Sequence, residues 1–187
     1  MAVLAGDALM IFAFETAAKA LKLGADPARV GRAIGLLAEK TGIYGMIGGQ
    51  TVDVELTGKP VSEEQLDFIY RLKTGALLEA SMMIGAILAG ADEDEIRKTE
   101  NIAADVGLAF QIRDDILDVV SSANVLGKPV LSDEKNSKTT YVTLKGLEQA
   151  KTDVEEISHR AAFALESLPG EKEFLKQLIE MLVNREN

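Results

Sequence analysis

Proline placement constrains this chain more than any other feature. There are four prolines, at 27, 60, 129 and 169, and each stands where a 3.6-residue apolar rhythm breaks off. Between them the pattern is helical nearly throughout, with no convincing strand alternation and no fixed-period repeat. The chain reads as all-α, one helical domain over residues 1–187. Val3 to Leu23 forms an apolar first helix with Gly24 as its C-cap. Asp26-Pro27 supplies an N-cap and first helical position for a second helix running to about Gly42. Thr57-Gly58-Lys59-Pro60 is a turn, and Ser62-Glu63-Glu64-Gln65 is a capping box opening a long helix to about Gly90. Asp92 opens the next helix, to about Val120. Residues 121–139 read as a loop. Two amphipathic helices follow, about 140–167 and 170–185, hinged near Pro169-Gly170.

Composition narrows the chemistry. The 187 residues contain no cysteine and one histidine, His159. That excludes disulfides, Cys-ligated zinc and thiol catalysis, and leaves little room for a Ser-His-Asp triad. Twenty basic against thirty acidic residues give a net charge of −10, which argues against nucleic acid as a partner. The longest apolar stretch, Ala80 to Ala91, falls short of the roughly 18 residues of a spanning helix. No basic region precedes the first apolar run, so no signal peptide is expected and the cytoplasm is the expected location. Several helices are apolar nearly all round, the first from its first residue. Such helices belong inside a bundle or against a partner, so an oligomer is expected.

The sharpest feature is Phe110-Gln111-Ile112-Arg113-Asp114-Asp115-Ile116-Leu117-Asp118. At about 100° per residue, Gln111, Asp114, Asp115 and Asp118 fall within an arc of roughly 100°, with Arg113 roughly opposite. A solvated face is normally broad and mixed in charge; this one is narrow, acidic and set in apolar surroundings. Carboxylates so arranged repel one another and call for a cation. An oxygen-only donor set suits Mg²⁺, which keeps several waters and bridges to substrate phosphates. A solvent-facing acidic patch is the competing reading, and neighbouring segments weigh against it. Lys73-Thr74 stands at the edge of an apolar stretch, and Lys128 and Lys138 lie in the loop after the acidic helix; these are the cations that a metal-bound diphosphate needs. Each alone reads equally well as a solvated lysine. Gly48-Gly49-Gln50-Thr51-Val52-Asp53, if helical, places Gln50 and Asp53 on one side, with the glycines admitting a close neighbour; an ordinary turn is an equal reading of this segment.

Together these segments resemble the trans-prenyl diphosphate synthases of the polyprenyl synthetase family. The likeness rests on VLAGDAL (Val3 to Leu9), GGQTVDVE (Gly48 to Glu55), KTGAL (Lys73 to Leu77), FQIRDDILD (Phe110 to Asp118) and GKPVLSDEKNSKTTY (Gly127 to Tyr141), in family order and spacing, with the bacterial farnesyl-type enzymes most similar. It implies an antiparallel helix bundle of the isoprenoid synthase type around a deep cavity, usually in a homodimer. It also implies Mg²⁺-dependent head-to-tail condensation of isopentenyl diphosphate with an allylic diphosphate. By the same resemblance Asp114, Asp115 and Asp118 are metal-site residues. Lys73, Thr74, Gln111, Lys128 and Lys138 line the allylic diphosphate, with Lys73, Thr74 and Gln111 also serving catalysis. Gln50 and Asp53 stand behind them.

The chain departs from the family in one respect. The family's first aspartate-rich motif and arginine pair normally precede the VLAGDAL segment, and these 187 residues contain neither. The expectation is therefore a chain corresponding to the C-terminal two-thirds of a synthase, with one carboxylate wall and no elongating activity alone. A non-catalytic helical subunit or interaction module is the second reading. A terpene cyclase is disfavoured by 5% aromatic content and absent tryptophan, because cyclase cavities need aromatic faces for carbocations.

Overall fold

A computed structural model describes residues 1–126 and 139–184. Among them there is no strand, and nine α-helices follow one another in chain order. They are α1 (Ala2–Ala18), α2 (Pro27–Thr41), α3 (Met46–Glu55), α4 (Glu63–Ile69), α5 (Ala76–Ala89), α6 (Glu93–Leu126), α7 (Tyr141–Lys145), α8 (Leu147–Leu165) and α9 (Glu173–Asn184). A 3₁₀ turn, Lys19–Leu23, extends α1, and a π turn, Tyr70–Gly75, joins α4 to α5.

The helix starts are set by side chains, as the sequence predicts. The Arg29 amide donates to Asp26 Oδ1 at 2.9 Å. Ser62 and Gln65 close a reciprocal capping box. Asp92 accepts from the amides of Asp94 and Glu95, and Glu95 accepts from the Asp92 amide. Each arrangement satisfies amides that the first turn would leave orphaned. Gly24 and Gly90 end their helices at φ 81° and 89°, a region that strongly favours glycine.

Three boundaries differ from expectation. The run from Glu63 to Ala89 is continuous but not uniformly α, because the π turn interrupts it. Helix α6 continues past Val120 to Leu126; the segment 121–126 holds neither Gly nor Pro, and the first helix breaker is Gly127. The expected helix 140–167 is split at Gly146, whose φ of 85° and ψ of 156° end α7 after five residues and make α8 a separate element.

The main core lies between α6 and α8. Ile102, Val106, Ala109, Ile112 and Ile116 face Ala150, Val154, Ile157, Ala161 and Leu165, with α9 adding Ile179 and Val183. Both helices use spacings of three and four, which makes a continuous seam. The seam is antiparallel: Tyr141, just before α8, meets Asp115, while Arg160 further along reaches back to Asp105. The same sense holds between α2 and α5, where Lys40 meets Glu79 and Arg29 meets the Leu88 carbonyl.

The helical run Glu63–Ala89 is long and apolar enough to cross a membrane by length and composition, with a stretch averaging a hydropathy of 1.4. The shorter stretch Ala80 to Ala91, on which the expectation of no spanning segment rests, overlaps the end of this run, and 33% of the run's apolar stretch is buried. Met83 and Ile87 meet Ala33 of α2 and Ile96 of α6.

Candidate functional site

The acidic face of α6 is where the sequence places it. Gln111, Asp114 and Asp115 are half-buried and Asp118 is exposed. Ile112 and Ile116 are buried on the opposing stripe, at 0% and 2% exposure. That opposition is why the acids emerge together on one side. The Gln111 amide stands 3.5 Å from Asp114 Oδ2.

Beside this face lies the π turn. A π turn takes one more residue per hydrogen-bonded loop than an α turn, and such turns recur at functional sites. Here it carries Lys73 and Thr74, both half-buried. Lys73 Nζ donates to Asp53 Oδ2 of α3 at 2.5 Å. Glycine makes this approach possible. A Cβ on Gly49 would lie 2.3 Å from the Lys73 amide nitrogen, so α3 can press on the π-turn backbone only without one. Gly107 does the same from α6, where a Cβ would sit 3.0 Å from the Cα of Gly75.

Asp115 joins the two sides. Its Oδ2 accepts from the Tyr70 hydroxyl at 2.5 Å and from the Tyr141 amide at 2.7 Å. Tyr70 is buried on the first residue of the π turn. Burial, and then the Asp115 charge, pushes its phenol well above the ordinary value, so it remains a donor at any physiological pH. Burial and a hydrogen bond to Asp153 likewise raise the Tyr141 phenol.

The structure thus brings Lys73 and Asp53 together, and it places Thr74 on the same turn. Gln111, Asp114, Asp115 and Asp118 share one face. Gln50 is exposed on α3 and has no part in the Lys73–Asp53 pair. Lys128 and Lys138 lie outside the described residues. His159 is exposed. Two contacts of the arrangement are not read from the motifs: the Tyr70 hydroxyl, and the amide of Tyr141, a residue that closes one motif without a role assigned to it. Tyr70 leaves a trace: it follows Leu66 and Ile69 on a buried stripe, and a buried phenol requires a partner.

Oxygen is the only metal-donor type on the α6 face. Among the described residues no three His, Asp or Glu side chains converge into a cage. An oxygen-only donor set is of the kind that suits Mg²⁺, which takes one or two carboxylates together with waters and substrate phosphates.

Over residues 1–181 the chain matches the polyprenyl synthetase family. The chain belongs to that family. It is 43% identical over 173 residues to a chloroplastic geranylgeranyl pyrophosphate synthase of Capsicum annuum, covering 92% of this chain and 47% of the relative. It is also 43% identical over 151 residues to the farnesyl diphosphate synthase of Geobacillus stearothermophilus, covering 81% and 51%. A geranyltransferase of Helicobacter pylori, solved with magnesium and isoprenyl diphosphate, superposes with a TM-score of 0.77 at 31% identity, over 98% of this chain and 59% of that one. The bundle is therefore of the isoprenoid synthase type. This polyprenyl synthetase chain spans about half the length of the curated relatives it matches. Synthases of two product lengths match it at equal identity, so the farnesyl-type likeness does not single out a product.

Proposed function

We propose that this chain is the leaving-group side of a prenyl diphosphate synthase. It would hold the diphosphate of an allylic substrate while a condensation with isopentenyl diphosphate proceeds across a cavity that it only partly encloses. The observation that carries this reading is the juxtaposition of the α6 acid face with the π turn bearing Lys73 and Thr74. Magnesium held by Asp114 and Asp118 would supply charge neutralisation for the diphosphate.

The residues then divide the work. As the allylic C–O bond breaks, its electron pair leaves with the diphosphate, whose charge Lys73 offsets. Asp53 keeps that ammonium directed at the site beforehand. Thr74 and Gln111 can point dipoles at the developing allylic cation, and neither is a strong nucleophile. The double bond of isopentenyl diphosphate forms the new C–C bond, and the proton lost afterwards goes to the released diphosphate. No histidine is needed. Lys128 and Lys138 join the diphosphate contacts in this reading.

The first aspartate-rich motif is absent from these 187 residues, so the chain by itself is expected to bind without elongating. The test has two arms. Mg²⁺ with inorganic diphosphate is expected to raise the melting temperature by mass action, and Asp114→Asn to remove that gain. Labelled isopentenyl diphosphate with an allylic primer is expected to yield no product from the chain alone. Turnover would refute the inactivity; an unshifted melting curve would refute the binding role and favour a non-catalytic helical subunit. Self-association belongs to the same proposal. It is supported by the exposed apolar residues of α1, and sedimentation showing only monomer at high concentration would count against it.

A further inference from the structure

Three aspartates face the site, but they are not held alike. Asp114 and Asp118 are one helical turn apart, so they stack on the same side of α6. Asp115 is turned by one residue, about 100°, and reaches toward the π turn and the start of α7. There its Oδ2 receives two protein donors, the Tyr70 hydroxyl at 2.5 Å and the Tyr141 amide at 2.7 Å. A carboxylate oxygen offers about two lone-pair sites, so these donors take up the capacity of that oxygen. The three groups belong to three different elements: α6, the π turn and α7. Tyr70 stands three residues before Lys73 and four before Thr74, on the same short turn.

We propose that Asp115 is a positioning residue. It tethers the acid face of α6 to the turn carrying Lys73 and Thr74, through the Tyr70 hydroxyl, and to α7 through the Tyr141 amide. Asp114 and Asp118 make the direct contacts with metal. The inference rests on the reading given under Proposed function and assigns a division of labour within it. The physical reason is distance control. Lys73 and the α6 carboxylates must address one diphosphate from two elements, and two elements drift unless a bond crosses between them. A carboxylate accepting from a buried phenol and a backbone amide is a short, charge-assisted link of that kind.

Asparagine separates the two roles at this position. It keeps one oxygen able to accept from both Tyr70 and Tyr141, but it loses the charge that a metal needs. The experiment measures affinity for Mg²⁺ with inorganic diphosphate by calorimetry on the full 187-residue chain. It also follows amide hydrogen exchange over residues 70–75 and 141–145. Asp115→Asn is expected within about threefold of the parent, while Asp115→Ala and Asp114→Asn each lose about tenfold or more, the scale typical of residues that orient metal ligands. Tyr70→Phe, which removes one of the two donors, is expected between them. Exchange in both segments should quicken in Asp115→Ala and not in Asp115→Asn.

An Asp115→Asn loss as large as that of Asp114→Asn would make Asp115 a direct ligand and overturn the proposal. So would parent-like affinity or unchanged exchange in Asp115→Ala. A parent chain that binds no magnesium diphosphate would refute the reading under Proposed function and the functional half of this one. The exchange data would still report whether the tether exists, so the two failures are distinguishable.

Discussion

Helices α1 and α8 are close in length, 17 and 19 residues, and opposite in how they use apolar side chains. Helix α8 gathers most of them on one stripe, where Ala150, Val154, Ile157, Ala161 and Leu165 are all buried, and leaves Phe163 exposed on the other side. Helix α1 is apolar on every side, yet none of its 17 described residues is buried. Val3, Leu9 and Ile11 are exposed at 77%, 70% and 69%. Apolar content alone therefore says little about burial. Periodicity says how many neighbours a helix needs, and a helix apolar all round needs them on more than one side. This bundle gives α1 contact chiefly along α2.

The largest expected effect comes where the α2 side of the molecule is fastened to the core. Lys40 of α2 donates to Glu79 of α5 and to Glu100 of α6, and Glu79 is buried. Lys40→Met would strand that carboxylate and should cost about 3–5 kcal/mol in urea unfolding. Next comes the direct contrast between the two helices. Leu165→Ala, at a fully buried position, should cost about 2–5 kcal/mol, whereas Ile11→Ser on α1, measured at dilution where the chain is unassociated, should stay within about 0.5 kcal/mol. Equal losses would break the comparison and mean that α1 is covered in solution.

Glycines sharpen it further. Gly49→Ala forces a Cβ into the backbone of Leu72 and Lys73 and should destabilise by about 1–3 kcal/mol. A Cβ on Gly6 of α1 meets nothing within 4 Å, so Gly6→Ala should stabilise by about 0.5–1 kcal/mol through helix propensity. The smallest effect is confined to alkaline pH. Burial lowers the Lys40 pKa, but the bonds to Glu100 and Glu79 outweigh it, and the net value is raised above 10.5. A raised lysine pKa favours folding below the unfolded value, and that contribution fades as pH climbs through the folded value. Unfolding curves should therefore lose stability above about pH 10.4, and Lys40→Met should flatten that loss.

Much of this was legible in the sequence because it is written locally. Asp26, Ser62 and Asp92 announce helix starts through side chains that reach only two or three residues. The α6 acids announce their shared face through spacing alone. The GGQTVD segment, which the sequence leaves open between helix and turn, is helical, and Gly49 admits a close neighbour. What escaped depends on contacts distant in sequence or on fine backbone geometry. The π turn has no compositional signature, and its residues read as ordinary helix. Gly146 gives no such signal, because a single glycine is tolerated inside a helical pattern, and only its positive φ marks it as a break. The bond from Tyr70 to Asp115 joins residues 45 apart, beyond the reach of any periodicity.

The π turn leaves the chain with a surplus residue between α4 and α5. Excising one residue there would return a regular helix and leave the facing of α5 relative to α4 roughly unchanged, because the wider turn already absorbs that residue. The flanking buried stripes, Leu66 and Ile69 on one side and Ala76, Ala80, Met83 and Ile87 on the other, would stay in register. What such a deletion would erase is the turn itself, and with it the placing of Tyr70, Lys73 and Thr74.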